Sequence, residues 1–273
     1  MTVHINSFFS IGQTHNVCQD YAAAKLVEIE TENAITHSIL AVSDGCSSSP
    51  DTDIGSRLLV QHSLNTARFG VIHGEDVIFA AFETSSRLQL SRRTLDATLL
   101  IAQIDQNRNL INTKIWGDGV VWVKYKDGKE QTIDIEFSNN APAYLSYFLT
   151  PDLINLLLES KCLRTVTDMV AGREPIVSVD DTSNQYEWSR EFCLSDVDTM
   201  MIFSDGIKSF RKKVNGAYQN VPLADVLKEV TAIKNYNGEF MVRRMKKFLH
   251  EFCPKNSWIH EDDVAVAAMV RFE

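Results

Sequence analysis

Five aspartates stand beside long apolar stretches, where strands are expected to begin or end. Asp44 follows SILAVS, Asp118 follows TKIWG and Asp205 follows MMIFS. Asp20 precedes YAAAKL, and Asp262 stands just before VAVAAMV. Carboxylates gathered at strand ends repel one another unless a cation neutralises them, and all-oxygen sites select Mg²⁺ or Mn²⁺. The pattern therefore predicts a site for hard divalent cations.

Glycine follows three of these aspartates, as Gly45, Gly119 and Gly206, and leaves room beside the carboxylate for a ligand. The alternative is that each Asp-Gly pair is an ordinary turn, which is the interpretation we give to Asp127-Gly128 in YKDGKE. Separate turns do not explain why so many aspartates flank apolar strands. A shared site is therefore the favoured interpretation.

The elements that would position these aspartates are groups of strands separated by pairs of helices. A first helix is expected after the serine run, with Asp53 as its N-cap. Further helices are predicted at 75–90, 151–161, 222–234 and 239–252. Apolar and β-branched runs predict strands at 3–12, 21–31, 35–44, 97–104, 109–118, 120–125, 131–137, 199–205 and 264–272. Helices grouped between antiparallel strand runs indicate an α+β layered fold rather than alternating βαβ units.

Residues 1–273 are expected to form a single domain, because no linker or break in composition divides the chain. The stretch 138–192 is less regular, with polar loop material at 177–185.

Composition excludes several classes of function. Lys and Arg number 27 against 36 Asp and Glu, a net charge of −9, which disfavours a nucleic-acid partner. The five cysteines have no CxxC spacing, so neither zinc nor disulfides are indicated. The stretch MTVHINSFFSIG lacks the basic start and long apolar run of a secretion signal, and no apolar run approaches the ~20 residues that a membrane span needs. We expect a cytoplasmic protein without a membrane partner.

Six motifs in this order resemble the metal-dependent protein serine/threonine phosphatases of the PPM type (type-2C-like), in their bacterial form. They are CQDY (18–21), VSDGCSSS (42–49), DATLL (96–100), IWGDG (115–119), FSDG (203–206) and EDDVAV (261–266). The resemblance spans nearly the whole chain. It implies a four-layer αββα sandwich of two antiparallel sheets flanked by helices, with a flap-like region at 138–192.

The resemblance also implies a centre of two Mn²⁺ or Mg²⁺ ions, with a third ion in bacterial-type members. Asp44 would bridge the two ions and the Gly45 carbonyl would bind one of them. Asp205 and Asp262 would hold the first ion, and Asp20 would act from behind it or through water. Asp118 would hold the third ion, and Asp263 is the less expected ligand of its pair.

Several positions depart from the family pattern, among them Gly119, which replaces the serine of a Gly-Asp-Ser motif. Cys46 stands where eukaryotic members have a histidine that protonates the leaving group. His15 takes the place of an arginine that grips the phosphate; it either binds phosphate or is a neutral histidine bonded to backbone. Gln19 replaces a glutamate next to Asp20. None of these changes removes a direct metal ligand, so an active enzyme is expected.

The expected activity is hydrolysis of phosphoserine and phosphothreonine on proteins, by a water bridging two metal ions, with Asp44, Asp205 and Asp262 as the catalytic residues. The partners would be a phosphorylated protein substrate and a cognate Ser/Thr kinase, and we expect a monomer. The alternative is a catalytically weak phosphatase-like domain that binds a phosphoprotein or a regulatory partner. A metal-dependent nuclease is disfavoured by the net charge and the motif order.

Overall fold

The computed structural model describes residues 2–29, 36–138, 142–150, 162–181 and 186–272. Its strands are β1 (Thr2–Ser10), β2 (Tyr21–Glu28), β3 (Thr36–Ser43), β4 (Leu99–Asp105), β5 (Leu110–Trp116), β6 (Gly119–Tyr125), β7 (Glu130–Phe137), β8 (Leu163–Val170), β9 (Ile176–Asp181), β10 (Glu187–Cys193), β11 (Val197–Phe203), β12 (Phe210–Val214), β13 (Ala217–Asn220), β14 (Trp258–His260) and β15 (Val264–Phe272).

The described α-helices of more than one turn are α1 (Thr52–Thr66), α2 (Gly74–Arg87), α3 (Leu223–Val230) and α4 (Phe240–Lys247). After α4 the chain stays helical, through a wider π turn at Phe248–Phe252 and a last turn at Cys253–Lys255. Short 3₁₀ turns lie at Ala67–Phe69, Arg92–Leu95, Leu145–Leu149 and Asp205–Lys208. Every helix among the described residues is too short or too polar to span a membrane.

Two antiparallel sheets form the centre of the fold. The seven-stranded sheet has the order β1-β15-β11-β6-β7-β8-β9, and the five-stranded sheet has the order β10-β5-β4-β3-β2. One apolar core joins the two sheets, with Leu40 and Leu100 from the five-stranded sheet and Met200 and Ala267 from the other. The sheets therefore pack face to face.

Helices cover the outer face of each sheet. Leu59 of α1 and Val77 of α2 pack in one core with Ile39 and Ile101, on the outside of the five-stranded sheet. The helices α3 and α4 contribute to a third core, outside the seven-stranded sheet. The four-layer αββα sandwich is confirmed.

The strand β3 shows why these strand sequences are continuous apolar runs. Its residues Leu40 and Val42 point into the core between the sheets, while Ile39 and Ala41 point to the helices α1 and α2. Because successive side chains point to opposite faces, a strand covered on both sides needs apolar residues at every position. The same two-sided burial explains VAVAAMV in β15.

Two local expectations were wrong. The N-cap position of α1 is Asp51, in a left-handed conformation, and Asp53 lies in the first turn. Part of the stretch at 177–185, which we expected to be loop, is β9, an edge strand of the seven-stranded sheet. The segment after Gly206 forms β12, which pairs with β13 and β14 in a small third sheet. The helix expected at 151–161 lies outside the described residues.

Candidate active site

Strand register brings the predicted aspartates to one end of the two sheets. Tyr21 pairs with Ser43, so Asp20, just before β2, and Asp44, just after β3, lie side by side at the same end of the sheet. In the other sheet Phe203 pairs with Val120, which places Asp205 close to the link between β5 and β6 that carries Asp118. The carboxylates thus come from both sheets.

Asp44 is fixed by the neighbouring chain segment at Thr98. The backbone N–H of Asp44 donates to the Thr98 hydroxyl (3.0 Å), and the Thr98 N–H donates to the Asp44 carbonyl (2.8 Å). The Ser43 hydroxyl donates to the Thr98 carbonyl (2.5 Å). This ladder holds the end of β3 rigidly, so the Asp44 carboxylate has a defined position.

Ser204 links Asp20 to the strand that carries Asp205. Its hydroxyl donates to Asp20 Oδ2 (2.6 Å) and accepts from the Ala265 N–H (2.9 Å). Asp20 is almost fully buried, behind the cavity wall. Asp205 opens a 3₁₀ turn, and its Oδ1 is buried without any hydrogen-bond partner.

The adjacent residues Asp262 and Asp263 have different environments. Asp263 is 1% exposed, and its carboxylate accepts the backbone N–H groups of Gly12 (2.7 Å) and Gln19 (2.6 Å). It therefore fastens the 11–19 loop to the end of the sheet. Asp262 has a 44% exposed side chain and lines the cavity. This placement agrees with the preference for Asp262 over Asp263 as a ligand.

A cavity of about 250 Å³ lies among these groups. Its acidic wall consists of Asp44, Asp118, Asp205 and Asp262, with Gly45 beside them. Larger spaces exist elsewhere, between α3 and the seven-stranded sheet (about 690 Å³, with Glu130 as the one acid in its described lining) and beside the start of α2 (about 550 Å³, with Glu75, Asp76 and Glu187). Carboxylates that are buried as well as convergent, rather than volume, identify the smaller cavity as the candidate active site.

Burial is the main cause of raised pKa values in the cluster. It raises the pKa of Asp44 well above its usual range, and the charges of Asp20 and Asp205 add to the effect. Burial likewise raises the pKa of Asp20. The pKa of Asp118 rises to about 7, through burial and the charge of Asp205, against the opposing charge of Lys208. For Asp262 burial is again the largest cause of a raised pKa. Ionising all of these groups together is costly without a cation.

Asp20 and Asp205 both act on the Asp44 carboxylate and raise its pKa. Within the described ranges, no three His, Cys, Asp or Glu side chains converge as the ligands of a bound ion do. The all-oxygen donor set and the orphaned Oδ1 of Asp205 nevertheless fit a hard divalent cation, which would neutralise the neighbouring carboxylates.

Glycine is required at two positions that shape this end of the fold. A Cβ on Gly206 would lie 1.6 Å from the carbonyl oxygen of Asp263, so only glycine lets the two segments meet. Gly119 has φ +144°, and a Cβ there would lie 2.7 Å from the carbonyl oxygen of Phe203. Both glycines follow aspartates of the cluster and set how closely the strands approach.

His15 lies between two carboxylates rather than free in the cavity. Its Nε2 is 3.5 Å from Asp262 Oδ1 and its Nδ1 is 3.1 Å from Asp263 Oδ2. The second contact has ion-pair distance without hydrogen-bond alignment. Neither expectation for His15 described this position: the imidazole faces carboxylates of the chain itself.

The neutral residues of the cavity lining include one that the sequence did not reveal. Tyr144 lines the cavity close to the Cys46 thiol, whose Sγ lies 3.1 Å from the Ser48 hydroxyl. Burial raises the pKa of Cys46, but hydrogen bonding at Ser48, with a smaller effect of the nearby Tyr144 hydroxyl, outweighs it and the net pKa is lowered. Burial raises the pKa of Tyr144, so its hydroxyl keeps its proton. No spacing rule relates 144 to the aspartate motifs, which is why it was missed.

The family model for protein phosphatase 2C matches residues 11–250. The chain belongs to the protein phosphatase 2C family. That assignment confirms the resemblance carried by the six motifs. The match includes Asp20, Asp44, Asp118 and Asp205, and it ends before Asp262.

Solved structures share the fold of this phosphatase 2C family member at low sequence identity. A bacterial serine phosphatase is 12% identical, with 98% of each chain covered and a TM-score of 0.56. The serine/threonine phosphatase Stp1 from Staphylococcus aureus is 12% identical over 100% of this chain and 96% of its own, with a TM-score of 0.53. No curated protein sequence matches this chain. At such identities the structures support the fold alone.

Proposed function

We propose that this chain hydrolyses phosphoserine and phosphothreonine on proteins, as a phosphatase that requires Mn²⁺ or Mg²⁺. The observation that carries the proposal is the placement of Asp44, Asp118, Asp205 and Asp262 around one cavity at the sheet ends. A family of phosphatases supplies the reaction class. The substrate class follows the resemblance to this family, and the metal is inferred from the all-oxygen donor set of the site.

The proposed metal-holding residues are Asp44, the Gly45 carbonyl, Asp205 and Asp262, with Asp118 for a third ion. Bound divalent ions would lower the pKa of a water molecule and stabilise negative charge at phosphorus. Asp20 has a supporting part, because Ser204 ties its carboxylate to the strand that leads to Asp205. The Thr98 ladder keeps Asp44 in place while its charge changes.

The substrates would be phosphoproteins made by a serine/threonine kinase. We propose residues 1–273 as one phosphatase domain, since both sheets contribute carboxylates to the same cavity.

The decisive experiment measures phosphate release from a phosphothreonine peptide with Mn²⁺ and with EDTA. We expect release with Mn²⁺ only, and a loss of at least a hundredfold in kcat/KM for Asp44→Asn. The matched control is Asp127→Asn, which changes an exposed turn carboxylate far from the cavity and should leave the rate unchanged. Equal rates with Mn²⁺ and EDTA would contradict the proposal.

A second candidate is a phosphoprotein-binding regulator that turns over slowly or not at all. One observation favours it. His15 stands where the family has a phosphate-binding arginine, and its ring nitrogens face the carboxylates of Asp262 and Asp263. This candidate predicts binding of a phosphopeptide without release of phosphate under Mn²⁺ or Mg²⁺.

A further inference from the structure

A phosphate ester in this cavity needs hydrogen-bond donors, and the acidic wall has none to give. His15 is the basic side chain among the residues that line the cavity, and both of its ring nitrogens face carboxylates. Donors for the phosphate oxygens must therefore come from another part of the wall.

The cavity lining also carries neutral donors. Cys46, Ser47 and Ser48 come just after Asp44 and Gly45, and Tyr144 reaches the cavity from a distant part of the chain. Tyr144 precedes the 3₁₀ turn Leu145–Leu149, and its ring lies 5.6 Å from that of Tyr147 at 72°. That edge-to-face contact fixes the ring, so the hydroxyl is held at the cavity.

A phenol is well suited to this position. Its hydroxyl donates a hydrogen bond while uncharged, so it adds no positive charge to a cavity proposed to hold cations. The hydroxyl lies close to the Cys46 thiol, a weak acceptor, and an anionic phosphate oxygen would be a stronger one, because charged acceptors form stronger hydrogen bonds.

We infer that the Tyr144 hydroxyl, together with the Cys46 thiol and the Ser48 hydroxyl, binds the phosphate group of the substrate in this cavity. The inference rests on the proposed function, since it names the groups that hold the phosphate of that substrate. Tyr144 is thereby a substrate-binding residue. The neutral donors take over the phosphate binding that the family's arginine provides at the position of His15.

The test uses Tyr144→Phe, which removes one oxygen and keeps the ring contact. Titration calorimetry with inorganic phosphate, in Mg²⁺ buffer, should show a Kd about tenfold higher than that of the wild type. The KM for a phosphothreonine peptide should rise by a similar factor, while kcat changes less than about threefold. Ser48→Ala should give a smaller rise in the phosphate Kd. Thermal melts establish that each variant is folded.

The matched control is Tyr147→Phe, on the same turn and outside the cavity lining. It should leave the phosphate Kd and the peptide KM unchanged, and an equal loss in this variant would overturn the specific role of Tyr144. An unchanged phosphate Kd in Tyr144→Phe overturns the inference even if the wild type hydrolyses the peptide. Phosphate binding that depends on Tyr144, in a protein that hydrolyses no peptide, supports the inference and contradicts the proposed hydrolysis. A wild type that neither binds phosphate nor hydrolyses the peptide contradicts both.

Discussion

At the scale of single residues, the adjacent Asp262 and Asp263 of EDDVAV have different roles because their surroundings differ. Asp263 is buried and accepts two backbone N–H groups, whereas Asp262 is half exposed at the cavity. A charged acceptor that satisfies two buried donors contributes to folding, and an exposed carboxylate beside other acids does not. Substitutions at Asp262 and at Asp263 should therefore affect proposed metal binding and fold stability separately.

Asp263→Asn should destabilise the fold by about 2–4 kcal/mol, because its amide N–H₂ would face the N–H of Gly12 or Gln19. Asp262→Asn should leave the free energy of unfolding within about 1 kcal/mol of the wild type, and should weaken Mn²⁺ binding at least tenfold. Urea unfolding and Mn²⁺ titration measure the two quantities. The assignment is wrong if the effects are reversed between the variants.

Asp118 allows a test of the free-energy cost of ionising a buried carboxylate in the acidic cluster. Its folded pKa of about 7 lies above the value of 3.8 that it has when exposed. A carboxyl with a raised pKa is fully compatible with folding below about pH 4, and it costs stability progressively as pH rises through 7.

In EDTA, Asp118→Asn should therefore be more stable than the wild type at pH 8, by on the order of 2–4 kcal/mol, because a tenfold difference in proton affinity between the folded and unfolded states corresponds to about 1.4 kcal/mol. The difference should shrink towards pH 4. Urea unfolding at both pH values gives the comparison, and Asp127→Asn serves as the control at an exposed site. A variant less stable than the wild type at pH 8 would show that ionised Asp118 does not destabilise the fold.

At the scale of elements, the site depends on how closely the turn after β11 approaches the residues before β15. Gly206 and Asp263 meet with no space for a side chain. Gly206→Ala should therefore push the two segments apart, lower stability by more than about 3 kcal/mol and abolish activity. Gly128→Ala is the control: it has positive φ but nothing within 4 Å, so it should cost about 1 kcal/mol and leave activity intact. Melting temperature and phosphate release measure both. A stable, active Gly206→Ala would show that the contact is not needed.

The sequence predicts the covered strands well and the uncovered ones poorly. In β3 and β15 both faces are buried, so ILAV and VAVAAMV are continuous apolar runs and the aspartates beside them stand out. The edge strand β9 and the hairpin strand β12 bury little, and no long apolar run distinguishes them from loop. The aspartates could be predicted because register carries them to one end of the sheets. Tyr144 could not, because only tertiary packing brings its turn to the cavity.

At the scale of the whole molecule, buried carboxylates lie together between the ends of the two sheets of an acidic protein. With a net charge of −9, the protein has no excess of positive charge to reduce the repulsion among these carboxylates. Lys208 supplies some locally, with its ammonium 3.0 Å from Asp134 and 2.9 Å from Glu136, next to the link that carries Asp118. We therefore expect the remaining repulsion to favour the binding of divalent cations.

Cation binding should therefore stabilise the fold, and more strongly as pH rises. Burial raises the pKa values of Asp20, Asp44 and Asp118, so ionisation of these groups costs stability as pH rises through those values, about 7 for Asp118. In EDTA the melting temperature should fall between pH 5.5 and 8. Mn²⁺ at about a hundred times its Kd should add about 2.7 kcal/mol, or roughly 5–10 °C. The increase should be smaller at pH 5.5, where protons compete for the same oxygens, and Asp44→Asn should lose most of it at both pH values. An equal increase at the two pH values, or one that Asp44→Asn retains, would place the cation away from these carboxylates.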